Sequence, residues 1–227
     1  MIKRIGIGFA LLFYIATAII GQERSTIPIK NSVNQSTLFG VGNMMLTDTY
    51  LSPLEYKGAS LSLLHERLYS SSLLKGKLIW QQEFFLQTAS TDNPTGNAKT
   101  YFGDVSYRIN SFYPVLKSKS FKLLGGIGGG LSVGGIYNIR NTNNPAQLKT
   151  AVNLNAALLA LYQWKLLTLR WQVSSPFLGA FFSPEYGHSY YEIFVLGNDQ
   201  GTIHLGSPAS QIGLRNDITG VYPVGKL

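Results

Sequence analysis

Apolar and polar side chains alternate one by one along several long segments, and this pattern restricts the fold more than any other feature of the chain. The period of two is regular in 101–110, 121–140, 151–164 and 167–174. In the first segment, one face carries Tyr101, Gly103, Val105, Tyr107 and Ile109, and the other carries Phe102, Asp104, Ser106, Arg108 and Asn110. Successive side chains of a strand point to opposite faces, so each segment predicts a strand with one apolar and one polar face.

Extended to the rest of the chain, the pattern predicts an all-β, antiparallel protein. The predicted strands are 36–46, 58–70, 76–89, 99–111, 120–139, 150–164, 167–175, 187–196 and 210–218. Short turns at 71–75, 112–119 and 165–166 alternate with loops at 47–57, 90–98, 140–149 and 176–186, which are rich in Asn, Thr, Pro and Gly. The long connection 197–209 has no place in this scheme.

The residue types on the two faces predict a barrel with its polar face inside and its apolar face outside, the reverse of a soluble barrel. The polar faces carry mostly Asn, Ser, Gln and Thr, with single charges. The apolar faces carry aromatic residues near the strand ends, namely Tyr101 and Tyr137 at one end and Phe121, Tyr162 and Trp164 at the other. Transmembrane barrels have two such aromatic girdles, about 25 Å apart. We therefore predict a transmembrane β-barrel with Val105, Ile127 and Trp171 facing outward.

Strand number gives a further expectation. Bacterial barrels close with an even number of strands, and the nine predicted strands leave the count odd. Residues 221–227 resemble the start of a tenth strand. We expect ten to twelve strands in the complete protein, with the last ones beyond residue 227.

The N-terminus predicts export. A short basic stretch, Met1 to Arg4, precedes an apolar run from Ile5 to Ile20, and Gly21 offers a small residue for cleavage before Gln22. The run is shorter than the roughly 20 residues of a membrane helix, which favours a cleaved signal peptide over an anchor. We assign 1–21 to the signal and 22–227 to the barrel domain, and we expect the outer membrane as destination.

Composition fits this destination. Charged residues make up 13% of the chain, against about 25% in soluble proteins. The net charge of +8 falls to +6 once Lys3 and Arg4 leave, and its scattered Lys and Arg favour outer-membrane lipid and lipopolysaccharide over nucleic acid. Cysteine is absent, so disulfides, thiolate metal sites and a lipidated cysteine are excluded. We expect a monomer without metal or cofactor.

Charged residues on the polar faces predict a network inside the barrel. By register these residues are Glu66, Glu83, Asp104, Arg108, Lys122, Arg140, Arg170, Glu192, Arg215 and Asp217. A narrow barrel must fill its interior, and ion pairs fill it without exposing charge to lipid. A structural network is therefore favoured over a transport relay.

Two local motifs suggest other chemistry. His188 and Glu192, with Ser183 in the preceding loop, are the weak candidates for an acyl-hydrolase site, although a strand would turn Ser189 away from His188. The glycine run 125–130 has phosphate-loop spacing, but alternation continues through it, and a phosphate loop needs a helix afterwards. We interpret these glycines as making room for bulky neighbours in a strand.

Several blocks carry a family resemblance: Asp48 to Pro53 with Tyr56 and Gly58, then 176–179, 182–187 and 189–192. In these blocks the chain resembles an uncharacterised family of signal-bearing bacterial outer-membrane barrels, described only as a domain of unknown function. The resemblance spans most of the mature chain. It implies a chain that continues past residue 227, and it implies no established activity and no catalytic residues.

Together these features predict an outer-membrane β-barrel with a structural role or a role in the passage of a small solute or lipid. Two alternatives remain open. One is an outer-membrane acyl hydrolase or lipid-modifying enzyme, and the other is a soluble periplasmic β-domain that binds an apolar ligand.

Overall fold

Each long strand pairs with the next one along the chain, which builds one antiparallel meander. The computed structural model describes residues 12–15, 34–142, 145–184, 189–208 and 213–222. The strands are β1 Leu12–Ile15, β2 Asn34–Asp48, β3 Ser52–Ser70, β4 Ile79–Asp92, β5 Lys99–Lys117, β6 Phe121–Asn138, β7 Ala146–Trp164, β8 Leu167–Phe182, β9 Ile203–Gly206 and β10 Arg215–Val221. A short helix, α1, spans Tyr190–Phe194, and a 3-10 turn spans Leu73–Gly76. The prediction of an all-β, antiparallel protein is confirmed.

The sheet order is β1-β2-β3-β4-β5-β6-β7-β8-β10, and β9 pairs with one end of β8. We call the end with connections 71–78, 118–120 and 165–166 the turn end, and the end with 49–51, 93–98, 139–145 and 183–214 the loop end. Among the described residues, the pairing forms an open sheet with β1 at one edge and β10 at the other.

Local side chains define the connections. At the loop end, the Asn93 carboxamide oxygen accepts hydrogen bonds from the backbone N–H groups of Asn97 (3.0 Å) and Ala98 (3.1 Å), which closes the 93–98 loop. At the turn end, β7 and β8 are joined by two residues, of which Lys165 has φ 54°. Several strands run further than predicted: β5 continues to Lys117 and β8 to Phe182.

The predicted strand 187–196 is wrong, because residues 190–194 form helix α1. Ser189 caps the helix: its hydroxyl accepts a hydrogen bond from the Glu192 N–H (3.2 Å), and the Glu192 carboxylate accepts one from the Ser189 N–H (2.9 Å). This reciprocal capping box starts a helix. Without a strand here, 183–214 becomes one long connection at the loop end, and the unexplained 197–209 lies inside it with β9.

The two faces of the sheet differ as the alternation predicts. Val105 on β5, Ile127 on β6 and Trp171 on β8 are 42%, 66% and 50% exposed. The residues next to each of them along its strand point to the opposite, concave side. Glu66 on β3 contacts Arg170 on β8, although five strand spacings in a flat sheet would separate them by roughly 24 Å. The sheet is therefore strongly rolled, with its polar face inside and its apolar face outside.

Strand β1 lies within the predicted signal peptide. It pairs with β2 from Leu12↔Gly42 to Ile15↔Phe39, so it covers the free edge of β2. The rest of 1–21 lies outside the described residues, as does the cleavage position at Gly21.

Candidate functional site in the sheet interior

The centre of the interior is a hydrogen-bonded ion pair between opposite parts of the rolled sheet. Arg170 on β8 donates through both Nη1 and Nη2 to the two carboxylate oxygens of Glu66 on β3. Both side chains are almost completely enclosed. This bidentate geometry is the strong form of an arginine–carboxylate interaction, and it fixes the distance between the two walls.

Three buried amides extend this pair across the interior. Arg170 Nη2 also donates to Gln172 Oε1 (2.6 Å), which accepts from Gln81 Nε2 (2.8 Å). Gln81 Oε1 in turn accepts from Asn110 Nδ2 (2.8 Å) and from Gln172 Nε2 (3.0 Å). The result is a continuous network over β3, β4, β5 and β8. We call these five residues, Glu66, Gln81, Asn110, Arg170 and Gln172, the central network.

A second ionic group lies beside the central network. The buried Glu83 carboxylate is 3.3 Å from Arg108 Nε and 3.4 Å from Arg215 Nη2, so one carboxylate on β4 faces cations from β5 and β10. Arg215 also pairs with Asp217 (2.6 Å), and its guanidinium lies 5.3 Å from the centre of the Phe85 ring. Arg215 therefore links β10 to β4 across the concave side of the sheet.

The other predicted interior charges lie elsewhere. Asp104 is on the inner face nearer the loop end, opposite Gly134, and contacts neither ionic group among the described residues. Lys122 is inward at the turn end. Arg140 lies at the loop-end rim and donates to Asn97 Oδ1 (2.8 Å). Glu192 belongs to α1, so its predicted place on an inner strand face is wrong.

Towards the turn end the interior is apolar and tightly packed. Ile79, Phe112, Leu124, Leu159 and Leu161 form a buried cluster, in which Phe112 has no exposed surface. Gly126 makes room for it, because a Cβ at that position would lie 2.5 Å from the Phe112 ring. This cluster fills the turn-end part of the concave side, below the central network.

Towards the loop end the inner face is polar, and several of its buried side-chain atoms lack a hydrogen-bond partner among the described residues. These atoms include Ser60 Oγ, Ser62 Oγ, Gln87 Nε2, Thr100 Oγ1 and Asn153 Oδ1. Further up, Tyr50, Leu51 and Ile136 form a second buried cluster with Phe102 and Tyr190. Polar groups thus lie between an apolar cluster at each end.

The sequence did not identify the uncharged members of the central network. Gln81, Asn110 and Gln172 occupy inner-face positions of their strands, and that alternation was the signal that could have placed them. The glycines at 125–130 lie within β6. A Cβ on Gly128 would lie 2.1 Å from Asn110 Oδ1, so this glycine makes space for a member of the network.

The residues proposed for hydrolase chemistry are not brought together in the part of the chain that the structure describes. His188 lies outside the described residues. The Ser183 N–H donates to Thr202 O (2.8 Å), and the Ser183 carbonyl accepts from His204 Nε2 (2.9 Å). Glu192 is engaged in capping α1.

The described residues contain no group of three or more His, Asp or Glu side chains arranged to hold a metal ion. Within the same residues, no helix is both long enough and apolar enough to cross a membrane.

A groove lies near the loop end, beside Tyr190. Its volume is about 500 Å³, and its lining draws on both faces of the sheet, with Tyr101, Gly103 and Leu148 from the outer face and Phe102 and Ile136 from the inner face. The backbone N–H of Leu148 donates to the Tyr190 hydroxyl, which holds the helix beside β7 beyond the end of β8.

Tyr50, Phe182 and Tyr190, which come from three of the blocks that carry the family resemblance, meet at this end of the sheet. Tyr190 packs edge-on against Tyr50 with ring centres 6.4 Å apart, and it stacks on Phe182 at the same separation. No curated protein and no solved structure matches the chain. Residues 7–227 match the family described as "Protein of unknown function (DUF3316)", which confirms the resemblance to a family of unknown function, and the chain belongs to that family.

Proposed function

We propose that the mature chain, residues 22–227, is a monomeric β-barrel of the bacterial outer membrane with a sealed interior and a structural role. The observation that carries the proposal is the inverted sheet, with ion pairs and amides inside and large apolar side chains outside. A water-soluble protein rarely exposes an apolar surface this continuous, whereas strands that face lipid require one.

Strand length supports the membrane assignment. Strands β2 to β8 have 14 to 19 residues each, and about 9–11 residues suffice for a tilted strand to cross a bilayer. Tyr101 pairs with Tyr137 near the loop end, and Phe121 pairs with Tyr162 near the turn end. These exposed aromatic pairs lie where the two interfacial girdles of such a barrel would be.

The barrel would close between β2 and β10. Counting β2 to β8 and β10 gives eight strands, an even number, and the first and last of them run antiparallel. The expectation of ten to twelve strands depended partly on the strand at 187–196, so we now propose eight. In the precursor, β1 occupies the edge of β2 at Phe39–Gly42. Removal of the signal peptide would free that edge for β10.

Packing supports a structural role over the passage of solutes. The side chains of Phe112, Leu124 and Leu159 in the apolar cluster are fully buried, and the central network joins opposite walls above them. A pore through the level of the network would have to break the Glu66–Arg170 pair. We therefore propose that outer-membrane lipid and lipopolysaccharide contact the exterior, with no continuous path through the interior.

Disulfide formation tests closure, since the chain has no native cysteine. Ile218→Cys would be combined in turn with Thr37→Cys, Phe39→Cys and Val41→Cys, which scan the register along the outer face of β2. One pair should crosslink in the mature chain, and retention of residues 1–21 should prevent it. The matched control pairs Ile218→Cys with Val105→Cys on the distant strand β5.

Gel migration and conductance complete the test. The folded protein should require detergent, migrate faster before boiling than after it, and carry no single-channel current in planar bilayers. A detergent-independent monomer would refute the membrane assignment, and a steady current would refute the sealed interior.

A further inference from the structure

The long loop-end connection exposes an unusual concentration of large apolar side chains. From α1 and the two residues that follow it these are Tyr191, Phe194, Val195 and Leu196, and from β9 they are Ile203 and Leu205. The two β9 residues are 72% and 81% exposed. A connection surrounded by water would carry polar residues at such positions, so this segment has a different environment.

The register of β9 makes these side chains part of the outer face. Ile203 lies opposite Phe182 and Leu205 opposite Ala180, and residues directly opposite each other share a face. Ala180 is two positions from the exposed Leu178, so the apolar surface of β8 continues onto β9. Phe194 stacks on Phe182 with ring centres 6.1 Å apart, which holds α1 against the same edge.

Charge is scarce in this segment. Residues 189–206 contain only Glu192 and Asp199 as formally charged side chains at neutral pH, and Glu192 is engaged in the capping box. The neighbouring groove, beside Tyr190, is lined in part by Gly103 and Gly135, which carry no side chains. Its volume of about 500 Å³ lies within the roughly 300–1,000 Å³ typical of ligand pockets.

We infer that α1 and β9 lie among the lipid acyl chains of the leaflet at the loop end, and that the groove beside Tyr190 holds one acyl chain. In this arrangement α1 and β9 extend the lipid-facing surface beyond β8 and do not project into the solvent above the barrel. Interfacial helices bind membranes in this way, with their apolar side chains below the headgroups. The inference rests on the proposed membrane barrel.

Spin labels on single cysteines test this in vesicles of dioleoylphosphatidylcholine. Labels at Leu205→Cys and Gly103→Cys report the β9 surface and the groove, and a Cβ at Gly103 meets nothing within 4 Å. Gln200→Cys, exposed and polar in the same connection, is the matched control. Ile127→Cys on the outer face of β6 reports the membrane barrel itself.

Collisions with oxygen report lipid, and collisions with a water-soluble nickel complex report water. Labels at 205, 103 and 127 should favour oxygen by several-fold relative to the label at 200. If the label at 127 favours oxygen while those at 205 and 103 behave like that at 200, the inference is overturned and the barrel proposal stands. Nickel access at 127 would overturn the barrel proposal itself. Protection of 205 from both reagents would indicate a protein partner or a second copy, and would also overturn the inference.

Discussion

Arg170 on β8 and Glu66 on β3 form a bidentate ion pair inside the rolled sheet, although 104 positions of sequence separate them. The pair connects walls that share no backbone hydrogen bond. Gln172 and Gln81 repeat the connection one layer away. The curvature of the sheet therefore depends on a few side chains as well as on strand twist.

Arg170→Met should be strongly destabilising, because it leaves the buried Glu66 carboxylate without its cation. Loss of one partner of a buried pair costs about 3–5 kcal/mol of the free energy of unfolding. Denaturant unfolding in detergent micelles measures this. Arg67→Met, which removes the same charge from an exposed position on the outer face, should change stability by about 1 kcal/mol or less.

The double variant Glu66→Leu/Arg170→Met distinguishes a lost ion pair from general disruption. Replacing both partners by apolar groups removes the unpaired charge, so much of the lost stability should return. A double variant no more stable than Arg170→Met would show that the pair is not the source of the effect.

Adjacent glycines on β6 should respond differently to the same substitution. A Cβ on Gly128 would lie 2.3 Å from the Ile109 carbonyl oxygen as well as near Asn110, whereas one on Gly129 would be 3.7 Å or more from its neighbours. Gly128→Ala should lower the free energy of unfolding by about 1–3 kcal/mol, as overpacking does. Gly129→Ala should stay within about 0.5 kcal/mol. Equal effects in denaturant titrations would contradict the assigned inner and outer faces.

A lysine substitution on the outer face distinguishes a lipid-facing surface from a solvent-exposed one. Leu131→Lys, near the middle of β6, should cost about 2–4 kcal/mol when the protein unfolds from phospholipid vesicles, since a lysine at bilayer mid-depth is costly. Leu166→Lys, in the turn between β7 and β8, should cost about 1 kcal/mol or less. A small and equal cost at both positions would favour the soluble alternative.

The faces of the sheet were predictable because a period of two needs no knowledge of distant residues. The orientation of Val105, Ile127 and Trp171 follows from alternation and from the scarcity of charge. Contacts between distant strands were not predictable in this way: nothing local distinguishes Gln81 and Gln172 as partners. Alternation indicates that they face inward, while the roll of the sheet decides which residues meet.

Helix α1 was missed although its signal is present in the sequence. Ser189 and Glu192 have the spacing of a capping box, but the apolar residues around them also fit a short strand. The competing interpretation placed Glu192 in the interior and made it a candidate partner for His188. Recognising the cap would have joined 183–214 into one connection and given an even strand count.

The cap of α1 can be tested by removing the Ser189 hydroxyl. Ser189→Ala removes the hydroxyl that accepts the Glu192 N–H, and loss of such a cap costs about 0.5–2 kcal/mol. Because α1 lies in the 183–214 connection, outside the meander, we expect faster hydrogen exchange in 189–196 and no change in β3 to β6. Ser183→Ala is the matched control, since the hydrogen bonds described for Ser183 use its backbone and should survive.

The hydrolase alternative is tested by measuring fatty-acid release from phospholipid vesicles. If Ser183→Ala or Glu192→Gln abolished this release, these residues would have a catalytic role that their described contacts do not suggest, and the structural proposal would fall.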